Sequence, residues 1–255
     1  MNFFFGINTD KFDSTIKVPI FQNSGKFKKD YNLYSLNIID NQWEIKLYSN
    51  KNEGEFFIVN EEFSNNESIF FLANEKEVKK IKHNNLNLIE EFNNFTNTKP
   101  AYRANLEIKI KNGGFSSYQS EYPINMIKKQ GSTLSSLSLL SNNNADNNYL
   151  IFKNIYQEAY RDNFKGYFID IHKKEVVKKF DLKTNFTNII EIDKKYLTQN
   201  HYFFTINYIG VPIYLSVKNG HMSLEHTHPP HEYILTKDKF KKVSELKKEF
   251  YEIVN

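Results

Sequence analysis

A mainly β protein, α+β in detail, is predicted by three observations: strict two-residue alternation in one segment, many short apolar runs at close spacing, and just two stretches with helical periodicity. The expected architecture is an antiparallel β-sandwich or barrel-like sheet with a mid-chain helix and a C-terminal helix. The alternation is clearest over residues 101–110. Tyr102, Ala104, Leu106, Ile108 and Ile110 fall on one face, and Arg103, Asn105, Glu107 and Lys109 on the other, as a half-buried strand requires. Gly113-Gly114 then supplies a turn, and residues 115–122 return as the partner strand. Further strands are expected at 43–48, 55–59, 68–72, 149–155, 166–171, 176–182, 187–192, 202–208 and 211–217. Their spacing favours antiparallel packing over βαβ repeats.

The two helices are placed at residues 75–95 and 237–254. The first carries Val78, Ile81, Leu88, Phe92 and Phe95 along one side, with His83-Asn84-Asn85 weakening its middle. The second presents Phe240, Val243, Leu246, Phe250 and Ile253, with Thr236 available as its cap. Such stripes usually face a core, and a partner-docking role for the second is the alternative. Residues 131–148 read GSTLSSLSLLSNNNADNN, of which NNNADNN is a loop; STLSSLSLL fits a short helix or a strand. A smaller α/β part over 1–98 followed by a β-rich part over 99–255 is one reading of the organisation, and one continuous domain is the other.

Composition restricts function more than it defines it. The 255 residues are 40% hydrophobic and 16% aromatic, which is ample for a core despite a mean hydropathy of −0.61. Abundant Asn and Lys lower that average. The net charge of +4 is modest, and acids lie near most of the lysine doublets, so no concentrated basic face for nucleic acid is expected. The absence of cysteine excludes disulfides, Fe–S clusters and thiol catalysis. No run approaches the ~18 apolar residues of a membrane helix, and MNFFFGINTDKF lacks the basic start and apolar length of a signal peptide, so a cytoplasmic protein is expected. There is no GxSxG elbow, P-loop, GxGxxG or HExxH.

The most concentrated chemistry lies in GHMSLEHTHPPHE, residues 220–232, which holds four of the seven histidines and two glutamates. In an extended conformation Met222, Leu224, His226 and His228 share one face, so the histidines continue a core-facing stripe toward the sheet end. Pro229-Pro230 restricts His228 and the approach to His231 and Glu232. Neutral imidazoles with a carboxylate are common ligands of Zn, Fe, Mn or Ni. The bland alternative is an exposed turn or a histidine bonded to a carbonyl. His172, in Asp170-Ile171-His172, and His201 would be the residues to complete a site. The metallo-β-lactamase histidine spacing is present, but Pro230 stands where its aspartate is needed, and the same residue stands where the histidine-triad hydrolases need a third histidine.

This segment resembles the first motif of the cupin superfamily: a glycine, five residues, His-x-His, three or four residues, and a glutamate. Gly220, His226, His228 and Glu232 match it, while Lys239 stands in place of the next glycine and no second motif is found. The resemblance implies His226, His228 and Glu232 as ligands of a divalent metal inside a β-barrel. Glu232 or His231 would then serve as the acid–base group.

A second polar patch, KNGGFSSYQSEYP at residues 111–123, gathers Tyr118, Gln119 and Glu121 just after the strand bearing Arg103 and Glu107. Amides, hydroxyls, carboxylates and aromatic rings are the usual lining for sugars; a hairpin with a serine-rich outer face is the plain alternative. Three functions follow. One is a metal-dependent enzyme acting on a sugar derivative or other small polar metabolite. Another is a non-catalytic β module binding glycan or protein. The third is a scaffold docking through its C-terminal helix. Nucleic acid and membrane are not expected partners, and homo-oligomerisation is left open.

Overall fold

The structure, a computed structural model, describes residues 2–20, 31–49, 51–79, 81, 104–111, 113–119, 121–127, 131–226 and 234–255. The described chain is mainly antiparallel β, with four sheets and two α-helices, one of them C-terminal. It divides into two compact units. The first comprises Met1–Lys128, Ile155–Arg161 and Thr184–Thr187; the second comprises Lys129–Asn154, Asp162–Lys183 and Asn188–Asn255.

The first unit contains strands β1 (Asn2–Phe5), β2 (Phe12–Pro19), β3 (Asn32–Ile39), β4 (Gln42–Ser49), β5 (Phe56–Val59), β6 (Ile69–Ala73), β7 (Asn105–Ile110), β8 (Phe115–Gln119) and β9 (Tyr122–Pro123). One sheet runs β4-β3-β6-β1-β9 and the other β5-β2-β7-β8. The alternation read from the sequence holds in β7: Leu106 and Ile108 are fully buried, while Lys109 is exposed. Strand β2 alternates as strictly, with Phe12, Ser14, Ile16 and Val18 buried. Ser14 occupies that core position because its hydroxyl is satisfied. It donates to the Ile7 carbonyl at 2.8 Å and accepts the Ile7 N–H at 2.9 Å.

Helix α1 (Glu75–Val78) starts where the sequence predicts the mid-chain helix, behind a reciprocal cap. The Asn74 side chain accepts the Glu77 N–H at 2.9 Å, and the Glu77 carboxylate accepts the Asn74 N–H at 3.0 Å. Most of the remaining span to Phe95 lies outside the described residues.

The second unit contains β10 (Leu134–Ser136), β11 (Asn147–Asn154), β12 (Asn163–Asp170), β13 (Glu175–Lys183), β14 (Phe186–Ile192, from Asn188 onward), β15 (His201–Thr205), β16 (Val211–Lys218), β17 (His221–His226) and helix α2 (Lys239–Val254). Its sheets, β10-β15-β12-β13 and β14-β11-β16-β17, bury a shared core as a sandwich does. Phe152 of β11 meets Phe203 of β15 edge-on at 5.1 Å, and the Tyr214 hydroxyl of β16 donates to Ser135 of β10 at 2.7 Å. Helix α2 covers the other face of the first of these sheets. Phe250 sits with Leu134, Tyr167, Ile169 and Phe204, and Lys247 Nζ donates to the Ser132 carbonyl at 2.6 Å. Residues 137–140, left between helix and strand by the sequence, follow β10 in irregular backbone.

Candidate functional site

Among the described residues, a concave surface lies in the first unit. Its construction starts with an irregularity in the β3–β4 ladder. Leu33 pairs with Ser49, but Tyr34 pairs with Leu47, so Tyr48 is left without a register partner. A bulge of this kind re-aims the side chain that it carries. The Tyr48 ring meets Phe70 of β6 edge-on at 5.2 Å and Phe63 of the β5–β6 connection at 5.6 Å. Burial raises the Tyr48 pKa above the ordinary phenol value; the Glu62 charge adds to that, and a backbone hydrogen bond with Asn60 opposes it.

Phe63 stays on the surface because the connection that carries it is tied down on the other side. Ser64 is fully buried and its hydroxyl lies 2.6 Å from that of Ser14. A Cβ added at Gly6 would clash with the Ser64 hydroxyl and lie 3.0 Å from Ser64 Cα, so the chain approaches closest where glycine stands. Ser68 donates to the Phe63 carbonyl at 2.7 Å and accepts the Asn65 N–H at 2.9 Å; Asn65 in turn accepts the Glu67 N–H at 2.9 Å. Asn66 accepts from the Asn8 N–H at 2.9 Å, and its carbonyl from the Thr187 N–H at 2.7 Å. The loop is therefore preformed, and Phe63, 51% exposed, is held over the cleft.

The cleft encloses about 290 Å³, bounded by Ser35, Asn37, Tyr48, Glu62, Phe63, Asn65, Glu67, Ser68, Ile69 and Phe70. Ser35 and Asn37 project from the same face of β3, opposite Lys46 and Glu44 of β4, which form an ion pair of 2.7 Å. Glu67 pairs with Arg161 at 2.8 Å. The arrangement offers aromatic faces, an amide, hydroxyls and carboxylates to a small polar molecule.

A second polar cluster lies in the other unit, at the end of β12. The sequence pairs Asp170 with His172; the fold pairs it with the His201 ring instead, because Asp170 and His201 are register partners across β12 and β15. His201 Nε2 is 3.8 Å from Asp170 Oδ2, and its Nδ1 is 2.6 Å from the Thr198 hydroxyl. His172 contributes its backbone N–H to Asp170 Oδ1 at 3.0 Å, and Lys173 its own at 3.1 Å. The Lys173 bond leads the effects that hold the Asp170 carboxyl below its ordinary value. Burial lowers His201 despite Asp170. Asp170 thus caps the β12–β13 turn and braces an imidazole, a role also met in purely structural turns.

The histidine segment is described only in part. Lys218 pairs with His221, and Asn219-Gly220 between them have φ of +51° and +75°, the signature of a two-residue hairpin turn. Gly220 therefore serves the turn. On β17, Leu224 is buried and Met222 and His226 are half-buried, while His221, Ser223 and Glu225 are exposed. His226 stands opposite Ile213 at the end of this edge strand. His228, His231 and Glu232 lie outside the described residues, as does Arg103. Among the described residues no group of three or more His, Asp or Glu side chains is placed to hold a metal.

The second polar patch is split by the sheet. Glu107 shares a face with its partner Ser117 and pairs with Lys17 at 3.7 Å. Tyr118, paired with Leu106, points the other way; burial raises its pKa and Glu121 adds to the shift. Gln119 Nε2 donates to Glu121 Oε2 at 3.3 Å, and buried Glu121 Oε1 accepts the Ala104 N–H at 3.2 Å. Tyr118 and Gln119, on opposite faces of β8, thus both act on Glu121, which is committed to the backbone, while Glu107, on the Gln119 face, pairs with Lys17. Sequence reasoning missed the Tyr48–Phe63 cleft; its one signal is a lone phenylalanine in the polar run NEEFSNNE. No family model, no curated protein and no solved structure matches this chain.

Proposed function

We propose that the protein is a non-catalytic β module that binds a carbohydrate or similar small polar ligand through the cleft of its first unit. The observation that carries this reading is the exposed Phe63 ring set against the bulged Tyr48 over Ser35, Asn37 and Asn65. Sugar rings stack on such aromatic faces, and their hydroxyls need paired donors and acceptors close by. The volume of about 290 Å³ is just below the range of drug-sized ligand sites, about 300 to 1,000 Å³, and suits one ring of a longer chain. A glycan array followed by titration of the best hit tests it. Phe63→Ala should weaken binding at least about tenfold, the equivalent of ~1.4 kcal/mol, with the circular dichroism spectrum unchanged. An array without hits on folded protein would refute the reading.

A second reading, a metal-dependent enzyme using His226, His228 and Glu232, is favoured by His226 sharing the less exposed face of β17 with Leu224 and Met222. Its test is metal content. Near-stoichiometric Zn, Fe, Mn or Ni in the purified protein, lost in His226→Ala/His228→Ala, would support it, and no metal after supplementation would end it.

A further inference from the structure

We infer that the ligand of the cleft carries a positive charge, and that its class is an amino sugar with a free ammonium group. This rests on the carbohydrate-binding reading above and narrows it. Two cationic side chains beside the wall are already matched: Arg161 by the lining residue Glu67 at 2.8 Å, and Lys46, the register partner of Ser35, by Glu44 at 2.7 Å. Glu62 is different. It is exposed at the cleft, its charge raises the pKa of Tyr48, and among the described residues it has no ion-pair partner. Neither Lys nor Arg contributes to the described wall.

Two aromatic rings stand beside this carboxylate, Phe63 and Tyr48, 5.6 Å apart and nearly perpendicular at 76°. A ring face attracts a cation through its quadrupole, and two rings at a steep angle present a corner rather than a flat platform. An ammonium in that corner meets ring electrons on one side and the Glu62 carboxylate on another. Ser35 and Asn37 remain for the hydroxyls of the sugar that bears it. A neutral sugar would use the rings and amides and leave the carboxylate idle. An anionic one would face Glu62 directly, at a cost.

The test is isothermal titration with three probes of matched length: a glucosamine oligomer, its fully N-acetylated counterpart and a neutral glucose oligomer, near pH 6. The glucosamine oligomer should bind about five- to tenfold more tightly than the others, from one exposed ion pair together with a cation–π contact. Glu62→Gln should remove that preference. Glu53→Gln, which deletes an exposed carboxylate that does not line the cleft, should leave the preference intact. Equal binding of all three probes, lost in Phe63→Ala, would overturn the charge inference and keep the carbohydrate reading. Equal loss in both glutamate variants would assign the preference to bulk charge and overturn the inference as well. Binding of none, by folded protein, would overturn both.

Discussion

Helix α2 is the element whose role is most directly measured, because its two phenylalanines sit in opposite environments. Phe250 is 1% exposed and packs at 5.4 Å from the Phe204 ring and 5.5 Å from that of Tyr202. Phe240, one face round the same helix, is 64% exposed. A buried phenylalanine removes about 150–250 Å² from water, which at ~25 cal/mol/Å² is about 4–6 kcal/mol. That is an upper bound, since the unfolded chain already covers part of its surface and alanine keeps a Cβ. The mutational range for Phe→Ala in cores, about 3–5 kcal/mol, agrees. Phe250→Ala should therefore cost the second unit about 4 kcal/mol, a large part of a typical stability of ~5–15 kcal/mol. Phe240→Ala should stay within about 0.5 kcal/mol. The assay must read the second unit, and the only tryptophan, Trp43, lies in the first. Amide hydrogen exchange in β12 and β15, followed through a urea series, does so. Loss below ~1 kcal/mol for Phe250→Ala would refute the placement of this helix in the core and favour a docking element instead.

Two other perturbations probe the scaffold of each unit. Gly6→Ala places a Cβ 3.0 Å from Ser64 Cα and in collision with its hydroxyl, so about 1–3 kcal/mol should be lost in urea unfolding followed by Trp43 fluorescence, together with weaker ligand binding as Phe63 shifts. In the second unit, acid should act in two stages through the cluster of His201, Asp170, Lys173 and Glu175. Burial lowers the His201 pKa, so its contribution is complete above the unfolded value of ~6.5 and is lost as pH falls from there through its folded value. Asp170 is also lowered, so its contribution holds above the ordinary carboxyl range and is lost as pH falls below that range. His201→Gln should remove the upper stage and leave the lower, as read by hydrogen exchange between about pH 8 and 2; an unchanged upper stage would refute the assignment.

Strand β7 was legible because its apolar and polar residues alternate without exception, and Gly113-Gly114 marks the turn to its partner β8. Strand β2 alternates just as well in space, yet Ser14 stands at a core position, and only its bonds to Ile7 and Ser64 explain why a hydroxyl is buried there. Strand β3 escapes for another reason: its burial is irregular across a bulge, so no period survives in the sequence. The Asp40-Asn41 turn that follows, with both φ positive, is a hairpin signal of the same kind as Asn219-Gly220. The cleft was hidden more deeply. Nothing local marks Tyr48 as the bulged residue, because the register shift is a property of two strands together, and Phe63 reads as one apolar residue in a surface loop. His201 was recognised as a residue of interest, but its partner Asp170 follows from strand pairing rather than from Asp-x-His spacing.

The bond from the Thr187 hydroxyl to the Gly6 carbonyl, 2.9 Å across 181 residues of sequence, also sets an order of events during synthesis. The Trp43 indole likewise donates to the Gln157 carbonyl at 3.0 Å, so the first unit draws on chain made long after its own strands. At ~5–20 residues per second on the ribosome, the stretch from Lys128 to Thr187 takes on the order of 3–12 s. Through that interval the N-terminal strands wait without the segments that close them, and their apolar edges are open to chaperones or to wrong pairing. A rare codon in that stretch would lengthen the wait and leave the finished fold unchanged.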